Sequence, residues 1–195
     1  AETTQGADQV ALPEAPYPGP RPFSVDEATI FFGRNEAVRA IVERLRGHLV
    51  VLSGPAGSGK SSLLRAGLIA QIQHDYFTGI PGDWEFVLTR PGSRPFYNLA
   101  RSIALAMYPD ARPRSEELFR SLEQMLRKGN TGLLDLLSVA PKPRSRNLLL
   151  CVEHFEELYP RPLAGSGDGD AETEAFGTLL GTSAREGPSL YVVVS

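Results

Sequence analysis

The sequence predicts a three-layer α/β fold with a mainly parallel sheet, and three observations support that prediction. Segments with strand patterns alternate along the chain with segments of helical periodicity, as they do in βαβ units. Three of the four predicted strands are apolar throughout, which is typical of strands covered on both faces. One of these strands leads directly into a glycine-rich loop and a helix. With 42% hydrophobic and 22% charged residues, the 195-residue chain can bury one sizeable core.

The order of predicted elements follows from turn residues and periodicity. Residues 1–16 lack periodicity and are expected to be a linker or disordered tail, followed by one domain over 17–195. The segment YPGPRPF (17–23) is too proline-rich for a helix, so we expect it to lie extended over the surface. The remaining predictions are a helical turn at 24–28, a helix at 35–46 capped by Asn35, a strand at 49–52, a helix at 59–72, a strand at 84–89, helices at 95–107, 115–128 and 133–139, a strand at 147–153, a Gly/Asp-rich loop at 165–170, a helix at 171–185 and a strand from 190.

Composition and charge limit the possible partners and the compartment. A net charge of −3 gives no electrostatic argument for nucleic acid or an anionic membrane, so any anion binding must be local. The single cysteine, Cys151, lies in an apolar run and is expected to be a buried, inert thiol. No stretch is long and apolar enough to span a membrane, and the polar N-terminus is not a signal peptide. We therefore expect a cytoplasmic protein. The ends of the chain suggest an excised piece of a longer one, truncated after its fourth strand.

The stretch LVVLSGPAGSGKSS (49–62) predicts a phosphate-binding loop. Its spacing fits G-x-x-x-x-G-K-[ST], and an apolar strand precedes it while a helix follows. Glycines at 54, 57 and 59 would let successive N–H groups converge on phosphate oxygens, next to the positive end of the helix. Lys60 would reach the β/γ-phosphates and the Ser61 hydroxyl would bind Mg²⁺. The predicted nucleotide-binding residues are Gly54, Pro55, Ala56, Gly57, Ser58, Gly59, Lys60, Ser61 and Ser62. The alternative is a glycine-rich turn that binds nothing.

An acidic segment follows the apolar strand LLLCV. A phosphate loop needs an acidic partner at the carboxyl end of a neighbouring strand, and Glu153 stands there. We expect Glu153 to lie near Mg²⁺, directly or through water, and Glu156 or Glu157 to orient or deprotonate the attacking water. Alternatively, these glutamates only favour the positive end of a following helix. Which of Glu156 and Glu157 acts is left open.

Other candidate sites have less support. Asp168 and Asp170 in the glycine loop lack the further ligands of a calcium loop, so we expect a solvated loop. His48, His74 and His154 show no metal-ligand spacing with one another or with the cysteine.

Four motifs together resemble the STAND class of P-loop ATPases. These are YPGPRPF, IFFGR (30–34), GPAGSGKSSLLRAGL (54–68) and LLLCVEHFEEL (148–158). The chain is similar to the bacterial branch in which P-x-x-G-L-R-x-F and F-F-G-R precede the phosphate loop and D-Q-F-E-E carries Walker B. The resemblance covers about residues 17–195. It implies that the last strand lies between the phosphate-loop strand and the Walker B strand, and that the nucleotide is ATP or ADP with Mg²⁺, with Phe32, Gly33 and Arg34 on the adenine side.

The resemblance also implies a function. Members of the class are signalling switches that ADP holds closed and that oligomerise on ATP exchange, with effector and sensor domains that would lie outside this segment. In bacteria, many of them serve antiviral defence or regulated cell death. Here Glu153 replaces the usual Asp and His154 the usual Gln, so we expect hydrolysis to be slow. The competing hypotheses are a nucleotide-stabilised interaction module without hydrolysis, a DNA-bound initiator-type ATPase that the charge does not support, and a small-molecule kinase.

Overall fold

A computed structural model describes residues 18–74, 79–108, 116–141, 146–159 and 168–195 and confirms the α/β class. The tail predicted at 1–16 lies outside these ranges. After a 3-10 helix at Val25–Ile30, the described elements are α1 (Asn35–Leu45), β1 (Leu49–Val51), α2 (Lys60–Ser62), a π-helix (Leu63–Ile69), α3 (Ala70–Gln73), β2 (Asp83–Thr89), α4 (Pro95–Met107), α5 (Glu116–Leu126), α6 (Gly132–Val139), β3 (Arg146–Val152), a 3-10 helix (Phe155–Leu158), α7 (Asp168–Glu186) and β4 (Leu190–Val194).

The four described strands form one parallel sheet in the order β1-β4-β3-β2. The last strand therefore lies between the phosphate-loop strand and β3, as the resemblance implies. The register pairs Thr89 of β2 with Val152 of β3, so Arg90 and Glu153 follow side by side at the carboxyl edge of the sheet.

Helices cover both faces of the sheet, because successive side chains of the strands point to opposite faces. Helices α4 to α7 pack on one face, against Leu148, Leu150 and Val152 of β3 and Leu190, Val192 and Val194 of β4. Helix α1 and the helical segment after the phosphate loop pack on the other face, against Leu149, Cys151, Tyr191 and Val193. The predicted three-layer arrangement is confirmed.

The prediction that β1 is a central strand covered on both faces is wrong for the described part of the chain. Strand β1 pairs with β4 only, at the end of the described sheet. Leu49 and Val51 have exposed fractions of 41% and 68%, whereas Val50 is buried. An apolar run shows that residues suit a strand, but burial also depends on what lies beside them.

Beyond shifts of one or two residues at other element ends, two local features differ from the prediction. Asn35 is the first residue of α1 and not its cap, because the Arg34 carbonyl accepts the first i to i−4 hydrogen bond, from Val38 N–H at 3.0 Å. Helix α7 begins at Asp168, so Asp168 and Asp170 lie in a helix and not in the predicted loop. Residues 165–167 of that loop lie outside the described ranges.

The end of the proline-rich segment lies against the helix that follows the phosphate loop. Phe23 N–H donates to Ser62 Oγ at 3.1 Å, and the Phe23 and Phe31 ring centroids are 5.5 Å apart. Arg21 donates two hydrogen bonds to the carboxylate of Glu27, at 2.6 and 2.7 Å. Phe23 therefore packs against the domain, while Tyr17 lies outside the described ranges. Within those ranges, no helix combines the length and apolar character needed to cross a membrane.

Candidate nucleotide-binding site

The glycine-rich loop has the backbone conformation that its sequence predicts at two of its three glycines. Gly57 and Gly59 have φ angles of +76° and +84°, a region that residues with a Cβ rarely adopt. Gly54 is outside that region, and a Cβ there would make a tight contact of 3.1 Å with Ser58 Oγ. The conformation of the loop therefore depends on positive φ angles at Gly57 and Gly59.

Lys60 closes the loop. Its Nζ donates hydrogen bonds to the carbonyl oxygens of Gly54 at 2.9 Å and Pro55 at 3.3 Å. The ammonium group thus lies over the mouth of the loop, where anionic oxygens could replace these carbonyl acceptors. A cavity of about 560 Å³ opens here, lined by the loop, β1 and one side of α1.

Only some of the predicted loop residues line this cavity. Gly54, Pro55, Ser58, Gly59 and Lys60 line the cavity, whereas Ala56, Gly57, Ser61 and Ser62 do not. The Ser62 hydroxyl accepts a hydrogen bond from Phe23 N–H and so connects the proline-rich segment to the loop helix.

The FFGR segment reaches the cavity through its arginine. Arg34 lines the cavity and donates to the Ser58 carbonyl oxygen at a long distance of 3.4 Å. Gly33 has a φ of +81°, which turns the chain just before α1. Phe32 does not line the cavity and is 79% exposed.

Glu153 is where the sequence predicts it, directly after β3, but its carboxylate has unexpected partners. It is 1% exposed and accepts two hydrogen bonds from Arg65, one of them from Nε at 3.0 Å. Arg90 Nε lies 3.8 Å away. The hydrogen bond to Glu153 raises the pKa of Arg65, so this guanidinium stays charged. A buried carboxylate needs such pairing.

The loop and the acidic residue lie on separate cavities. Glu153 lines a second, polar cavity of about 330 Å³, which shares no lining residue with the first. Mg²⁺ prefers oxygen ligands, typically one or two carboxylates with substrate phosphates, and Ser61 with Glu153 supplies a hydroxyl and a carboxylate. These are donor types that Mg²⁺ prefers, but Ser61 and Glu153 line no common cavity and Arg65 occupies the carboxylate. Among the described residues, no cluster of three or more His, Cys, Asp or Glu side chains could hold a metal.

Glu156 and Glu157 make different contacts. His154, with a φ of +55°, turns the chain from β3 into the 3-10 helix that carries both glutamates. Glu156 is exposed and has its Oε1 3.4 Å from His154 Nδ1. Glu157 Oε2 accepts a hydrogen bond from Gly92 N–H at 3.2 Å, which connects it to the loop after β2. Neither glutamate lines either cavity. Their role in positioning water stays a prediction.

Sequence reasoning missed the arginines around Glu153. Arg65 is four residues after Ser61, about one helical turn along the same side, and this spacing could have indicated it. Arg90 follows β2 as Glu153 follows β3, so a parallel register would have placed them together. The pocket residues on α4, Asn98, Arg101 and Ser102, carry no such signal.

The fold and loop together define the class of protein. The protein has a parallel sheet between two layers of helices, and strand β1 leads through the glycine-rich loop and Lys60 into a helix. This arrangement is a P-loop-type nucleotide-binding core. A sequence model of the family described as Novel STAND NTPase 1 matches residues 16–195, and the chain belongs to that family. The resemblance inferred from the four motifs is thereby confirmed, and the membership indicates a nucleotide-binding module. No curated protein matches the chain.

Proposed function

We propose that this chain is the ATP-binding, slowly hydrolysing switch domain of a larger cytoplasmic signalling protein. ATP and ADP bind with Mg²⁺, and the nucleotide state controls self-association and an effector, in bacterial defence or regulated cell death. The supporting observation is the loop geometry: Lys60 Nζ lies 2.9 Å from the Gly54 carbonyl oxygen, and Arg34 lines the same cavity. Sensor and effector would lie outside this segment.

In this proposal each residue has a defined task. The loop N–H groups and Lys60 bind the phosphates, Ser61 and Glu153 supply oxygen ligands for Mg²⁺, and Arg34 with the exposed Phe32 ring contacts the adenine side. When bound, Mg²⁺ would neutralise phosphate charge. The guanidinium of Arg65 competes for the carboxylate of Glu153, which supports slow turnover.

The test is nucleotide affinity, measured by calorimetry with ATP, ADP and GTP, with and without Mg²⁺. Lys60→Ala removes charge-assisted hydrogen bonds worth about 1.5–3 kcal/mol, so we expect ATP affinity to fall at least about tenfold. Lys128→Ala is the matched control, because Lys128 is exposed at the end of α5, and it should change affinity less than about twofold. Equal ATP affinity of the Lys60→Ala variant and the wild type would refute the proposal.

A second candidate function is a nucleotide-stabilised interaction module that does not hydrolyse ATP. The two hydrogen bonds from Arg65 to Glu153 favour it, because the carboxylate is already engaged. Turnover by the full-length protein discriminates between the two functions. Activity that disappears in Glu153→Gln, and persists in the exposed control Glu43→Gln, excludes the second candidate.

A further inference from the structure

The second cavity lies at the carboxyl edge of β2 and β3, where parallel α/β sheets usually bind ligands. Its volume is about 330 Å³, and the π-helix, β2, α4 and the residues directly after β2 and β3 contribute to it. The lining residues are Arg65, Leu88, Thr89, Arg90, Asn98, Arg101, Ser102 and Glu153. None of them lines the phosphate-loop cavity, so a ligand here would contact other residues than the nucleotide phosphates do, although the proposed function assigns Glu153 to the nucleotide's Mg²⁺.

Positive charge dominates this cavity. Three guanidiniums face a single carboxylate, which leaves two positive charges in excess, in a chain whose net charge is −3. Clustered like charges repel one another, and a concave surface of one sign concentrates ions of the opposite sign. Arg65 is engaged by Glu153, whereas the half-exposed Arg90 has a long 3.8 Å contact with the same carboxylate and Arg101 is exposed. Two guanidiniums can therefore turn toward an anion.

Neutral donors surround the same space. Asn98 and Ser102 lie one helical turn apart on α4 and both line the cavity. One N–H of the Asn98 amide already donates to the Pro91 carbonyl oxygen at 2.8 Å, which leaves its second N–H as the candidate donor. Thr89 also lines it and is 4% exposed, yet its Oγ1 has no hydrogen-bond partner in the described structure. Buried hydroxyls normally have a partner, so this one is a further candidate donor.

We propose that this cavity is a second anion site, which binds the phosphate group of a small molecule. Guanidiniums bind phosphate through paired, charge-assisted hydrogen bonds, and a phosphate dianion would neutralise the two excess charges. Arg65 contacts the cavity and Glu153 at once, so a bound phosphate competes with Glu153 for that guanidinium. This last consequence links the cavity to the acidic residue of the nucleotide site and rests on the proposed function, whereas the binding itself does not.

Titration with inorganic phosphate tests the proposal, by calorimetry in a chloride buffer. All proteins carry Lys60→Ala, so that binding at the phosphate loop is minimised. Adding Arg101→Gln removes one charged donor, and we expect the phosphate Kd to rise about tenfold or more. Arg120→Gln on α5 is the control, because its side chain is 69% exposed and lies outside the cavity, and it should leave the Kd within about twofold.

The outcomes separate this proposal from the proposed function. A glycerol 3-phosphate titration distinguishes a phosphate ester from the free ion, and binding of either that weakens with Arg101→Gln supports the site. The absence of binding, or an equal Kd with and without Arg101→Gln, overturns it. ATP affinity is measured with Arg101→Gln in the wild-type background, where we expect no change. A weakened ATP affinity there would show that the cavity belongs to the nucleotide site and would also overturn the proposal.

Discussion

Replacing Arg65 by methionine should destabilise the protein, because it leaves the carboxylate of Glu153 buried without its main partner. Losing one member of a buried ion pair costs about 3–5 kcal/mol. The Arg65 side chain is 28% exposed and Arg90 remains 3.8 Å away, so water and a second guanidinium reduce the loss. We expect about 2–3 kcal/mol, which lowers Tm by roughly 5–10 °C in a chain of this length.

The measurement is urea unfolding of Arg65→Met, Glu153→Gln and the double variant. Because removing both charges leaves no isolated ion, the double variant should be more stable than the sum of the single losses predicts, by about 1–3 kcal/mol. Arg120→Met is the matched control: its ion pair with Glu116 is exposed and should contribute less than about 0.5 kcal/mol. Additive losses, or Arg65→Met as stable as the control, would refute this account of Glu153.

Three further predictions concern stability and reactivity. Two hydrogen bonds from Arg21 and one from the Ser24 backbone N–H lower the pKa of Glu27 from 4.5 to about 2, so its contribution to stability is fully present above pH 4.5 and is lost as the pH falls through about 2. Glu27→Gln should therefore lower Tm at pH 7 and have much less effect at pH 2. A Cβ at Gly67 would lie 2.8 Å from Val38 Cγ2, so Gly67→Ala should lower the urea midpoint, whereas Gly181→Ala, with open space in α7, should raise stability by about 0.5–1 kcal/mol. A stabilising Gly67→Ala would contradict the packing. Burial raises the pKa of the Cys151 thiol, so a thiol reagent should label it only after unfolding.

Much of the fold could be predicted because its signals are local. Helix α4 has the predicted bounds, with proline at its first position and Leu99 and Ile103 buried on one side. Strand β3 was predicted to within one residue at each end from a continuous apolar run. The predictions failed where the outcome depends on neighbouring elements. The apolar run of β1 does not reveal which elements pack beside it, and Leu49 and Val51 are exposed.

The candidate site could likewise be predicted only in part. The sequence alone determined the strand, the glycine loop and the lysine, because all of them lie within 14 consecutive residues and their geometry follows from local backbone constraints. It also placed Glu153 at the carboxyl end of a strand. Only the tertiary structure decided what that carboxylate contacts, because Arg65 is 88 residues away along the chain. Burial at the edge of the sheet leaves Glu153 dependent on a charged partner, and packing of the loop helix against the sheet determines that this partner is Arg65.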